Sequence, residues 1–185
     1  MVQINYNKET IKNVANMYMA TLDKFLPESN KSHKGELMIL NASRMAGTLM
    51  FHSLIEDALN SQPPSLLSVN AKAKVHDLTQ FAGSVLEALG GNIDFQKSQA
   101  HGDVFVTVLQ KYPLSKTHET FSELFILIAK TVGISYAEAA LASSYASAYM
   151  VYSHSQFLDI HRGFLLAVSG HNEALTYLPS NIKKA

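Results

Sequence analysis

The chain contains no cysteine. That excludes a disulfide framework and thiolate metal ligands, and it fits a reducing compartment. Net charge is absent too, with 15 lysines and arginines against 15 aspartates and glutamates. Without a basic excess, nucleic acid is not expected as the main partner; without an acidic one, the signature of disorder is missing. Apolar runs such as Leu124 to Ala129 fall far short of the roughly 20 residues that cross a bilayer. The start, MVQINYNKETIKN, shows no apolar stretch behind a basic one, so no signal peptide is expected. These absences together predict a soluble, cytoplasmic protein that partners neither membrane nor nucleic acid. Phosphate-binding glycine motifs, G-x-S-x-G, H-E-x-x-H and C-x-x-C are also missing, and no period of 20–50 residues repeats.

What is present is helical periodicity. A chain of 185 residues predicts one domain with a sizeable core. Its organising stretch runs from Gly35 to Leu59 and is apolar almost all the way round. A helix without a solvent face belongs in the middle of a bundle. Within it Arg44, Thr48, His52 and Glu56 form a polar stripe at i, i+4 spacing, with Asn41 just before. Arginine and glutamate are rarely buried without partners, so this stripe needs them.

Around that stretch, residues 1–7 read as an extended lead-in. Helical spacing covers 8–26 and stops at Pro27, and 27–34 reads as a polar loop. Pro63-Pro64 marks a break. An amphipathic helix over 69–89 ends at Gly90-Gly91. The segment 92–110 is ambiguous: a small β-hairpin competes with a short helix capped by Asp103, and the helix is preferred because an isolated hairpin is marginal. A helix over 117–132 ends at Gly133. Ser135 and Glu138 form a capping box for a helix starting at Tyr136. The apolar phase then holds without interruption, which favours one long C-terminal helix to Ser169, about 50 Å at 1.5 Å per residue. Ser153 with Gln156 offers a cap for a second helix, which leaves a break near 153 open. Gly170 is the expected stop, and the tail 179–185 should fray.

Histidines 154 and 161 fall inside the apolar stripe of this last helix. At i and i+7 they stand about 10.5 Å apart along the axis, too far to share one metal ion. The expectation is hydrogen-bonded core or interface histidines, and no metal is assigned. His52 and Glu56 have ligand spacing, but the Glu-x-x-His of di-iron bundles is absent; Arg44, His52 and Glu56 are expected to satisfy groups on neighbouring helices. Asp159 and Arg162 read as an exposed pair. His76 stands on an amphipathic helix, as the histidine of phosphotransfer domains does. Where those domains carry Lys-Gly three and four residues on, this chain has Thr79 and Gln80. Small residues crowd 137–148, with Tyr145, Tyr149 and Tyr152 between and beyond them. That pattern suits a dimer interface, the wall of an apolar ligand pocket, or plain intramolecular packing.

The sequence thus predicts an all-α, single-domain bundle of six or seven helices over 1–185. Its expected function is a non-enzymatic interaction or assembly module, homodimeric through Tyr145, Tyr149 and Tyr152. The competing function is a binder of a small molecule, an apolar one among the candidates, or of an unidentified cofactor, with metal dependence and enzymatic activity left open. Its polar site would be built from Arg44, His52, Glu56, His154 and His161. The direction in which the stripe faces, closed core or cavity, separates the two.

Overall fold

The computed structural model describes residues 6–27, 29–61, 67–99 and 101–174. Helix accounts for 82% of the structure, with no strand among the described residues, so the all-α class holds. Of the lead-in only Tyr6 and Asn7 are described; the Pro63-Pro64 break and the tail 179–185 lie outside the described residues.

Seven α-helices follow one another among the described residues: α1 (Lys8–Phe25), α2 (Lys31–Ser61), α3 (Leu67–Ala88), α4 (Phe95–Gln99), α5 (Leu114–Val132), α6 (Tyr136–Ser153) and α7 (Ile160–Glu173). A π-helical turn, Phe105–Leu109, precedes α5. The helical alternative for 92–110 is therefore the one adopted, although Asp103 commits its carboxylate to Arg162 rather than to a cap. Helix α2 begins a turn earlier than its apolar run. The Asn30 side chain accepts the His33 N–H at 2.9 Å, and this cap recruits part of the expected 27–34 loop. Asn7 caps α1 in the same way, and the Ser135–Glu138 box forms at α6. Gly133, at φ 79°, supplies the left-handed end of α5.

The apolar stretch at 35–59 lies where its composition requires. Helix α2 is enclosed by α1, α3, α5, α6 and α7, and Leu37 through Phe51 are all buried. A second helix is enclosed as well. In α6 the small residues from Ala139 to Ala148 bury almost completely, because they let α2 and α3 approach closely. Their hydroxyls bond to the backbone of those helices: Ser143 Oγ donates to Ala42 O at 2.8 Å, and Ser144 Oγ to Leu78 O at 3.0 Å. The small-residue crowd is thus intramolecular packing.

The long C-terminal helix does not form. The chain leaves α6 at Ser153, turns through 154–159 and re-enters as α7. The uninterrupted apolar phase concealed this break, since both helices bury the same kind of face. Ser153 does not cap the second helix, as its Oγ donates to Met150 O at 3.3 Å. Asp159 does, accepting the N–H groups of His161 at 2.9 Å and Arg162 at 3.0 Å. The turn lets α7 fold back onto α2. Gly170 is not a stop but a crossing point: a Cβ there would stand 2.0 Å from Ser43 Oγ and 3.1 Å from Leu40 O. Gly47 on α2 meets the same helix, with the His171 carbonyl 2.7 Å from where a Cβ would be. Among the described residues no single helix is long and apolar enough to cross a membrane.

Candidate functional site

The sequence singled out five polar residues, and the structure places them in three separate locations. Arg44 sits mid-way along α2, buried in the core at 0% exposure. Its Nε donates to Glu173 Oε2 on α7 at 2.8 Å, and Nη2 lies 2.7 Å from the same oxygen without an aligned hydrogen bond. Nη1 donates to Thr117 Oγ1 on α5 at 3.1 Å, and that hydroxyl donates to Asn41 Oδ1 at 2.8 Å. One guanidinium therefore ties α2, α5 and α7 together. Burial pushes its pKa down, and the Glu173 carboxylate opposes this. The network reaches water at Glu173, which is 23% exposed, and where Asn41 and Thr117 line a cleft of about 160 Å³, smaller than the roughly 300–1,000 Å³ of small-molecule sites.

Near Arg44, His171 of α7 is wholly buried, with Nδ1 3.3 Å from Thr79 Oγ1 of α3. Burial lowers its pKa to about 3, so the ring is neutral at physiological pH. No metal-type periodicity pointed to it; its signal is the close crossing of α2 and α7 at Gly47 and Gly170.

His52 and Glu56 lie farther along α2. The His52 ring tilts against Tyr136, with centroids 5.7 Å apart. Burial lowers the His52 pKa first and the neighbouring His118 lowers it further, while Glu56 raises it. Burial lowers His118 as well. Both rings are therefore held neutral at the α2–α5–α6 junction, as a packed and partly solvated pair.

The third location is the α6–α7 turn, about 25 Å down α2 from His52 at 1.5 Å per residue. His154 packs flat against Gly35, where a Cβ would stand 2.8 Å from His154 Cδ2. Its Nδ1 donates to Met150 O at 2.9 Å, closing the end of α6. His161 and His101 both face the Asp159 carboxylate, at 3.4 and 3.1 Å. Asp159 and Arg162 are not an ion pair. Arg162, largely buried, extends its guanidinium to Glu36 on α2 and to Asp103, the latter at 2.6 Å. His33 joins through Glu36, its Nδ1 3.8 Å from the carboxylate, and its Nε2 lies 2.8 Å from the Tyr112 hydroxyl. This network was missed in the sequence because its members come from four distant segments with no shared spacing. Among the described residues no three His, Asp or Glu side chains are arranged to hold a metal ion.

The aromatic residues of α6 divide. Tyr149 and Tyr152 are each 40% exposed, and Phe157 in the following turn is 50% exposed. Tyr145 is partly buried and lines a groove between α1, α3 and α6. Comparison of the chain with family models, curated proteins and solved structures finds no match.

Proposed function

We propose that the protein is a non-enzymatic assembly module whose partner is a second copy of itself, docked through the aromatic end of α6. One observation carries this reading. Arg44 is committed to bonds that tie α2, α5 and α7, His154 closes the end of its own helix, and the other polar candidates gather round no common cavity, whereas Tyr149, Tyr152 and Phe157 stand open at one end of a helix. Tyrosines at i and i+3 share a helix face. Large flat side chains with a polar tip are what interfaces enrich, and a patch meeting itself across a two-fold axis is the commonest solution for a soluble chain.

The reading differs from its sequence form in two respects. Exposed aromatics support it, rather than a projecting 50 Å helix, and Tyr145 leaves the surface for the groove. Small-molecule binding at Arg44, His52, Glu56, His154 and His161 gains no support from the geometry, because these residues converge on no common cavity. Light scattering of the wild type and of Tyr149→Asp tests the proposal.

A further inference from the structure

We infer that the groove between α1, α3 and α6 binds a single-chain amphiphile with a carboxylate head, of the fatty-acid class. The groove encloses about 470 Å³, inside the range of small-molecule sites. Its floor is hydrocarbon: Ile11 of α1, Phe81 and Val85 of α3 and Leu89 just beyond its end, with the Tyr6 ring edge-on to Phe81 at 5.9 Å. Lys8 and Lys12 line the same groove. At i and i+4 they share one face of α1. Among the described residues neither is ion-paired and no carboxylate lines the groove. In a chain of zero net charge, two unpaired ammonium groups beside an apolar floor make a local match for an anion carrying a hydrocarbon tail.

The chemistry of the floor favours an alkyl chain over a peptide. A peptide brings backbone amides that need partners when buried. Here the α3 hydroxyl of Ser84 already donates to Gln80 O at 3.1 Å, which leaves the floor few groups to satisfy them. A hydrocarbon tail needs none. The Tyr145 hydroxyl has no hydrogen-bond partner among the described residues and offers the head a third donor.

Calorimetry with dodecanoate, below its micelle concentration, tests the inference on the intact chain. Saturable binding of one dodecanoate per chain is expected, with dodecanol weaker and dodecyltrimethylammonium silent. The variant Lys8→Glu/Lys12→Glu should weaken dodecanoate tenfold or more and leave dodecanol unchanged. Both lysines are exposed, glutamate is a good helix former, and at position 8 it suits the first turn, so this variant should keep its fold. Val85→Trp, which fills the floor, should abolish both ligands. Absence of saturable binding, equal binding of the cation, indifference to the lysine reversal, or binding only to phosphatidylglycerol vesicles would each overturn it. None of these outcomes depends on Tyr149, so failure here leaves the assembly proposal standing.

Discussion

Arg44 and Glu173 are unequal partners. The guanidinium has no exposure at all, whereas the Glu173 side chain keeps 23% of its surface in water. Removing the carboxylate strands a charge in the core, which costs about 3–5 kcal/mol. Removing the cation leaves a carboxylate that still reaches solvent. Urea denaturation should therefore find Glu173→Ala about 3–5 kcal/mol less stable than wild type, and Arg44→Met closer to wild type than Glu173→Ala. The reverse order would mean that the carboxylate, not the arginine, is the buried member. His171 supplies a pH dependence of definite sign. Its folded pKa, about 3, lies below the ordinary 6.5. Between those values the unfolded chain takes up a proton that the folded chain refuses, so stability is complete above pH 6.5 and declines as pH falls towards 3. The slope approaches roughly 1.4 kcal/mol per pH unit. His52 and His118 are shifted in the same direction. Denaturation at pH 7.5 and 5.5 should show the loss, and His171→Gln should flatten it; an equal slope in both proteins would show that His171 is not its source.

At the scale of elements, the α2–α7 crossing leaves no room for a Cβ at Gly47 or Gly170. Alanine ordinarily improves a helix by about 1 kcal/mol over glycine. At Gly170 that gain is outweighed, because the new Cβ would fall on Ser43 Oγ and against the Leu40 carbonyl. Gly170→Ala is expected to lower stability by about 1–3 kcal/mol, as overpacking does. A thermal melt unchanged or raised would mean that the two helices separate freely. The element boundaries also show what was legible beforehand. The capping box at Ser135, the glycine stop at 133 and the apolar faces of α1 and α3 were readable, because each rests on local chemistry. The α6–α7 break was not, since an apolar phase says which face is buried but not whether the axis turns. Gly170 was misread for a related reason: a glycine near a helix end looks like a cap until the neighbouring helix is seen.

For the whole molecule, the central position of α2 and the burial of Arg44 were legible, because a helix with no solvent face has few places to go. The partners of Arg44 were not, as Thr117 and Glu173 come from helices that no sequence spacing connects to it. The division of labour that results, polar residues holding helices together and aromatic residues left outside, is the basis of the assembly proposal. Light scattering at micromolar concentration tests it most directly. The account predicts a molar mass near twice the 20.3 kDa of the chain, falling to the single-chain value in Tyr149→Asp with the helical circular dichroism unchanged. A wild type that remains at 20.3 kDa throughout the micromolar range would contradict it.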